Sequence, residues 1–119
     1  MRYSFDDNPT IFGKILRGEI PCTKVYEDAE FLAFRDIAPK APVHVLLIPK
    51  AHLEGLQDAG DGDAALLGRL MVTANKIASE LGLKEQGYRV ITNAGVGAGQ
   101  EVPHLHLHIL SGAGGLPGF

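Results

Sequence analysis

The chain has 119 residues, 45% of them hydrophobic, with a formal net charge of −3 and a sequence pI near 5.9. This length supports one domain with a core of its own and is too short to predict two. Because the acidic balance leaves no broad basic surface, the chain lacks the electrostatic anchor of nucleic-acid-binding proteins, and no nucleic-acid partner is expected.

Cysteine content and the amino-terminal residues predict the compartment. The single cysteine, Cys22, cannot form an internal disulfide and is expected to be an ordinary buried or half-buried thiol. Residues 1–9 lack the basic and apolar regions of a secretion signal, and no run approaches the ~18 apolar residues of a membrane span. We therefore expect a cytoplasmic protein with no membrane partner.

The first predicted element is a short amphipathic helix within residues 7–18. It has a capping residue directly before Pro9, proline at the first helical position, apolar Ile11, Ile15 and Leu16, and a closing Gly18. Three strand-sized runs with short connections follow and predict an antiparallel meander. They are Lys24–Glu27, Phe31–Asp36 and Val43–Pro49.

A change of hydrophobic period predicts one long helix from Asp61 or Asp63 to Leu81, closed by Gly82. Its apolar positions are Leu66, Leu67, Leu70, Ala74, Ile77, Ala78 and Leu81. A fourth strand over 88–93, a glycine-rich loop over 94–100, a fifth strand over 104–110 and an irregular tail over 112–119 complete the chain. The predicted fold is α+β, a single domain over 1–119 with a five-stranded antiparallel sheet, a short N-terminal helix and one long helix.

The fifth strand alternates three of the five histidines with branched apolar residues. The two sets are His104, His106 and His108, and Leu105, Leu107 and Ile109. Because side chains alternate across a strand, the histidines are expected on one face and the apolar residues on the other, in the core. The imidazoles would extend along roughly 13 Å, which suits a phosphate group and its neighbours.

Metal binding, a purely structural role and phosphate chemistry are the alternatives for this row. The outer histidines of the strand are too far apart to share a zinc ion with Zn–N near 2.0 Å, although an adjacent pair could. Three buried structural imidazoles would each need hydrogen-bond partners. Phosphate chemistry is favoured, with one neutral imidazole attacking and others donating, because both protonation states of histidine are accessible near pH 7. No metal or other cofactor is predicted.

The loop before the histidines supports a phosphate site. Gly95, Gly97 and Gly99 allow close backbone approach and could direct N–H groups at an anion, and Asn93 and Gln100 add polar side chains. Asn93, Gly99 and Gln100 are therefore candidate substrate-binding residues. The pattern is not a dinucleotide fingerprint or a P-loop, because a strand rather than a helix follows it.

His104-Leu-His106-Leu-His108-Ile-Leu resembles the signature of the histidine triad (HIT) superfamily, and upstream segments resemble its Hint branch, the histidine triad nucleotide-binding proteins. These segments fall in the family's order: 10–15 (TIFGKI), 18–21 (GEIP), 34–37 (FRDI), 41–44 (APVH), 47–52 (LIPKAH), 93–95 (NAG) and 99–104 (GQEVPH). The resemblance implies a HIT-like fold, a homodimer and hydrolysis of purine nucleoside 5′-phosphoramidates, adenosine or guanosine, to the nucleoside monophosphate.

The resemblance also implies roles for individual residues. His106 would attack the α-phosphorus and form a nucleotidyl-histidine intermediate, and His104 and His44 would set its orientation and protonation. His108, Asn93 and the backbone N–H groups of Glu101 and Val102 would contact the phosphate. Asp36 would accept hydrogen bonds from the ribose hydroxyls. The base pocket would be lined by Ile11, Phe12, Ile15, Ile20, Phe34, Ile37 and Leu46.

Several of these positions have a simpler interpretation. The apolar pocket residues would face a core in any case, Asp36 could merely end a strand, and His44 could be a hydrogen-bonded core histidine. His52 is expected to have a structural or surface role rather than a catalytic one. Two other functions use the same triad or pocket: hydrolysis of dinucleoside polyphosphates, and noncatalytic purine nucleotide binding.

Two departures from the family pattern concern the leaving group. Glu101 stands where many members have a serine proposed to assist the leaving group, and a carboxylate donates a proton only when it is itself protonated. The carboxyl-terminal segment lacks the tryptophan found in some relatives. Leaving-group assistance from position 101 is therefore not expected, and the missing tryptophan predicts a different selectivity beyond the phosphate.

Overall fold

The computed structural model describes residues 2–112 and 116–117. Within these residues, five strands form one antiparallel sheet: β1 (Lys24–Glu27), β2 (Phe31–Arg35), β3 (Val43–Pro49), β4 (Arg89–Ile91) and β5 (Leu107–Ser111). The helices are α1 (Ile11–Leu16) and α2 (Ala64–Glu80). The predicted α+β class and five-stranded antiparallel sheet are confirmed.

The strand order is β1-β2-β3-β5-β4, so β5 lies between β3 and β4. The meander of the first three strands is as predicted. Val45 pairs with Ile109 and Leu46 pairs with His108, which places the histidine-bearing strand beside the most buried strand of the sheet. The expected irregular tail over 112–119 falls largely outside the described residues.

Each face of the sheet carries its own apolar cluster. On one face α2 packs Leu70, Ala74 and Ile77 against sheet residues such as Val45 and Ile109. On the other face Phe12 of α1 packs with a second set of buried side chains. That set is Leu32, Phe34, Leu46 and Ile48.

Along residues 104–109, successive side chains point alternately toward the α2 face and the α1 face of the sheet. Leu105, Leu107 and Ile109 are buried in the α2 cluster. The rings of His104 and His106 lie 5.9 and 5.0 Å from the Phe12 ring, on the α1 side. Burial of the apolar set thus fixes which way the histidines face.

The fifth strand begins later than predicted, at Leu107 rather than at His104. The backbone of the preceding residues bonds elsewhere: the Leu105 N–H donates to the Leu53 carbonyl at 2.7 Å, and the His104 N–H donates to the Val102 carbonyl. Two of the three histidines therefore lie on a segment held by the connection after β3. The predicted fourth strand is likewise shorter, at Arg89–Ile91.

The N-terminus of α1 also differs from the prediction. Thr10 is the N-cap, with its Oγ1 accepting from the Gly13 N–H, so Pro9 precedes the helix. Asn8 is 1% exposed, and its Oδ1 accepts from both the N–H and the Oγ1 of Thr10. Phe12 and Gly13 are the buried residues of α1, whereas Ile11 is 46% exposed.

Gly13 is required by the close approach of Asn8. A Cβ at Gly13 would lie 2.5 Å from the Asn8 carbonyl oxygen and 2.6 Å from its Cγ. Contacts this short force a shift, because the neighbouring atoms include backbone.

In the described part of the chain, no helix combines the length and hydropathy needed to cross a bilayer.

The α2 cluster is expected to dominate stability. Replacing Ile77, which is 0% exposed, with alanine leaves a cavity and should lower the free energy of unfolding by about 2 to 5 kcal/mol in urea denaturation. Glu80→Ala, on the exposed side of the same helix, is the matched control and should change it by less than about 0.5 kcal/mol. Equal effects of the two substitutions would contradict this assignment of the core.

Candidate active site

A cavity of about 710 Å³ lies on the α1 side of the sheet, a volume typical of sites for small molecules. Its wall brings together twelve of the sequence-predicted substrate-binding residues: Ile11, Phe12, Ile15, Ile20, Phe34, Asp36, Ile37, Leu46, Asn93, Gly99, Glu101 and Val102. His44, His106 and His108 line the same wall, and His104 lies behind it, fully buried.

Hydrogen-bond partners assign the tautomer of His106. Its Nδ1 lies 2.7 Å from the carbonyl oxygen of His104, which can only accept, so Nδ1 carries the proton. Nε2 then holds a lone pair, and no described residue hydrogen-bonds to it. The Phe12 ring, at 5.0 Å and nearly perpendicular, packs against the imidazole. A neutral imidazole of fixed orientation therefore lines the cavity.

The same reasoning fixes His104. Its Nε2 lies 2.8 Å from the Pro49 carbonyl oxygen and must donate, so its Nδ1 accepts from the Asn8 side-chain amide at 3.0 Å. The Asn8 amide is oriented for this because its oxygen is engaged by Thr10. His104 thus acts on His106 through its backbone carbonyl, and its side chain anchors that carbonyl.

His44 hydrogen-bonds to His108 and not to His106. The Lys40 N–H donates to His44 Nδ1 at 3.0 Å, so His44 Nε2 carries the proton and donates to His108 Nδ1 at 2.8 Å. His108 consequently carries its proton on Nε2, which has no acceptor among the described residues. The relay presents one N–H donor beside the lone pair of His106.

His52 is structural, as expected. Its Nδ1 accepts from the Tyr3 N–H at 2.9 Å, and its Nε2 donates to the Pro103 carbonyl at 2.8 Å. Its ring is buried 5.3 Å from that of His104. It holds the amino-terminal segment against the chain that leads into the histidines.

Burial keeps the site histidines neutral. Desolvation lowers the pKa of His104 and His108 to about 4, and it also lowers the pKa of His44 and His106. The carboxylate of Asp36 opposes the shift at His44, His106 and His108, and Glu101 also opposes it at His106. Near neutral pH, His106 therefore keeps its lone pair.

The glycine loop differs from the expected phosphate cradle. Residues 96–98 form a single 3₁₀ turn, and the N–H groups of Ala98, Gly99 and Gln100 donate to carbonyl oxygens within the loop. Gly95 and Gly99 have φ of 92° and 91°, so glycine is needed there to form the turn. The expectation that loop amides point at an anion is wrong for these three groups.

Gln100 is absent from the cavity wall, in contrast to the other predicted substrate-binding residues. Its Oε1 accepts from the Gly95 N–H at 2.7 Å, and its Nε2 donates to the carbonyl oxygens of Glu54 and Val102. The side chain therefore holds the loop together. By contrast, the N–H groups of Glu101 and Val102 donate to no other described residue, so these two amides are available to an anion.

Two of the predicted base-pocket residues do not face a core. Ile37 is 99% exposed at the rim of the cavity, and Ile11 is 46% exposed, whereas Phe12, Phe34 and Leu46 are buried. Exposed branched side chains at a cavity rim are not accounted for by core packing. Asp36 lines the cavity and directly follows β2, where its Oδ1 accepts from the Ala38 N–H at 2.8 Å.

Sequence reasoning did not assign some residues to the wall. These are Pro21, Cys22, Arg35, Ala38, Lys40, Ile91 and Leu110. Cys22 follows the predicted base-pocket residue Ile20, and Arg35 and Lys40 flank Asp36 and Ile37. Their closeness in the chain to assigned residues was the one sign in the sequence that they line the cavity. The strand and loop geometry that directs these side chains toward the cavity is not encoded in a local pattern.

Comparison with known proteins identifies the family. The HIT domain family model matches residues 17–115. The chain belongs to the HIT domain family. A histidine triad protein from Clostridium difficile superposes with a TM-score of 0.87 at 50% identity, covering 92% of this chain and 94% of that one. The HIT family hydrolase from Legionella pneumophila Philadelphia 1 superposes with a TM-score of 0.82 at 50% identity, covering 85% and 90%.

A sequence relative raises the question of metal. The chain is 50% identical over 109 residues to the 14 kDa zinc-binding protein of Zea mays, covering 90% of this HIT chain and 84% of that protein. Among the described residues, Asp36, His44 and His108 have potential ligand atoms within 4.8 Å of one another. However, His44 Nε2 carries a proton because Nδ1 accepts from Lys40, and His108 Nδ1 accepts from His44. In this arrangement the cluster does not fit a metal ion.

Acid is expected to destabilise the fold through His104. An unfolded histidine titrates near 6.5 and His104 near 4, so between these values the unfolded state binds a proton that the native state does not. The free energy of unfolding should therefore fall as pH falls through this window, by up to about 3 kcal/mol from His104.

Denaturant titrations at several pH values, with NMR titration of the His104 ring, would measure this. Asn8→Asp is the matched variant: it replaces the amide donor at His104 Nδ1 with a carboxylate that favours the imidazolium, and should raise the pKa of His104 and reduce the acid-induced loss. A His104 ring that titrates near 6.5 in the native protein would contradict the assignment.

Proposed function

We propose that this HIT domain hydrolyses purine nucleoside 5′-phosphoramidates to the nucleoside monophosphate through a nucleotidyl-histidine intermediate. The observation that carries the proposal is the Nδ1–H of His106 held by the His104 carbonyl, which leaves a lone pair on Nε2 in a cavity of nucleotide size. The solved relative described as a HIT family hydrolase supports hydrolysis as the reaction class.

The first step forms a bond between His106 Nε2 and the α-phosphorus and breaks the P–N bond of the substrate. The amine leaves with the bonding electrons and takes a proton from solvent. Nδ1–H remains on the ring, so the nucleotidyl imidazole is cationic and its charge is stabilised by the His104 carbonyl. A cationic imidazole is a good leaving group for the second step.

In the second step water attacks the α-phosphorus and releases a proton to solvent, while the P–Nε2 bond breaks and its electrons return to His106 as the lone pair. Nε2–H of His108 and the N–H groups of Glu101 and Val102 would donate to the phosphoryl oxygens in both steps. Asn93, also on the cavity wall, would add a side-chain contact. None of these roles requires a metal ion.

The remainder of the cavity suits a nucleoside. Phe12, Phe34 and Leu46 form an apolar floor for a purine ring, and Ile37 would cover its exposed side. Asp36 Oδ1 accepts from the Ala38 N–H, and Oδ2 lies 3.5 Å from His44 Nε2, whose proton is donated to His108. Oδ2 would therefore accept from the ribose hydroxyls. Adenine and guanine are equally compatible with this apolar floor.

His106→Ala should lower turnover of a fluorogenic AMP–tryptamine phosphoramidate by at least about a thousandfold, because no other group on the wall replaces the nucleophile. His106→Asn should do the same while AMP binding, measured by calorimetry, stays within a few fold. The assay contains EDTA, which should not reduce wild-type turnover. If the wild type binds AMP but forms no product, the protein is a noncatalytic nucleotide-binding module. If it cleaves diadenosine polyphosphate faster than the phosphoramidate, it is a dinucleoside polyphosphate hydrolase.

We also propose that the protein is a homodimer. Strand β4 lies at an edge of the sheet, the position at which a strand of another chain can add to a sheet. On α2, the neighbouring Met71 and Val72 are 52% and 70% exposed and present apolar surface that a partner could cover. A second copy would pair along β4, and an interface that also reaches α2 would cover Met71 and Val72.

Gel filtration with light scattering should give about twice the 12.7 kDa mass of the chain. Val72→Glu should shift the protein toward the monomer, because it would bury a carboxylate in the interface. Lys84→Glu, an exposed change of charge outside these features, is the control. A wild-type particle near the mass of one chain would overturn the dimer.

A further inference from the structure

A second, shallower groove adjoins the main cavity. It has a volume of about 320 Å³ and shares Ile11, Glu101 and Val102 with the cavity wall. Its remaining wall consists of Pro9, Thr10 and Pro103. If the nucleoside occupies the main cavity with its phosphorus at His106, another substituent on phosphorus can extend past Glu101 into this groove.

Glu101 alone gives the groove its charge. Thr10 is 9% exposed and its Oγ1 is engaged, donating to Asn8 and accepting from Gly13. The other wall residues are apolar. The Glu101 side chain is exposed and, within the described residues, forms no hydrogen bond or ion pair. Arg35 and Lys40 line the main cavity and not the groove.

The carboxylate also acts on the reacting centre. Burial lowers the pKa of His106, and Glu101 opposes that shift electrostatically, so its charge reaches the nucleophile. The Glu101 carboxylate repels the anionic phosphate of a substrate unless a positive charge lies close to both groups. Apolar walls with one carboxylate at the junction suit an alkyl chain that carries a positive charge.

We propose that the groove of Pro9, Thr10, Ile11, Glu101, Val102 and Pro103 is the leaving-group subsite and that Glu101 selects amines with a second positive charge. The preferred substrates are nucleoside phosphoramidates of alkyl diamines, whose distal ammonium group would pair with the Glu101 carboxylate. This inference depends on the proposed phosphoramidase activity. Glu101 here is a specificity residue and not a proton donor.

The test uses three adenosine 5′-phosphoramidates whose alkyl chains of equal length end in an ammonium, a methyl or a carboxylate group. Wild type should show the highest kcat/KM with the ammonium and the lowest with the carboxylate, each step about two- to fivefold, as for a partly exposed charge pair. The preference should shrink as salt concentration rises.

Variants separate the contribution of Glu101 from the intrinsic reactivity of each phosphoramidate. That reactivity is the same for every variant, so it cancels when the kcat/KM ratio of two substrates is compared between variants. Glu101→Gln should remove the ammonium-over-carboxylate preference and Glu101→Lys should reverse it. Glu85→Gln, an exposed carboxylate that lines neither cavity, should keep the wild-type ratio.

The outcomes distinguish the two proposals. Turnover of all three substrates with the same ratios in wild type, Glu101→Gln and Glu101→Lys would overturn the leaving-group subsite and leave the phosphoramidase activity standing. Failure of wild type to cleave any of the three would overturn the activity and the subsite together.

Discussion

The hydrogen bond from His106 Nδ1–H to the carbonyl oxygen of His104 organises the site. It works only if that carbonyl stays in place, and the His104 ring holds it there by bonding to Pro49 and Asn8. Asn8 in turn belongs to the segment that caps α1. A short helix, a strand end and a buried amide therefore all contribute to the orientation of one lone pair.

Backbone groups, rather than acidic side chains, assign the tautomers of four of the five histidines. Carbonyl oxygens of Pro49, Pro103 and His104 select the protonated nitrogen of His104, His52 and His106, and the Lys40 N–H selects the unprotonated nitrogen of His44. His108 follows from His44. Because a backbone group changes neither charge nor rotamer, this arrangement holds neutral imidazoles without a buried ion pair, which would carry a large desolvation cost.

Local patterns in the sequence predicted the sheet, the long helix and the side of the sheet on which the histidines lie. The alternation of 104–109 and the helical spacing of Leu70, Ala74 and Ile77 reflect burial, which periodicity reports directly. The start of β5, the Thr10 cap and the role of Gln100 depend on partners distant in sequence, such as Leu53, His104 and Glu54. No local pattern encodes those partners. The residues of the cavity wall came largely from family resemblance, because periodicity alone would have placed Ile37 in a core.

The contact between Gly13 and Asn8 extends the functional site beyond its visible wall. Gly13 does not line the cavity, yet any larger side chain there would press on the residue whose amide holds His104. A substitution at this helix position would therefore act on His106 from outside the cavity, altering the orientation of its imidazole through Asn8 and His104. Sorting variants of this protein by distance from the cavity would misclassify Gly13 as a packing residue.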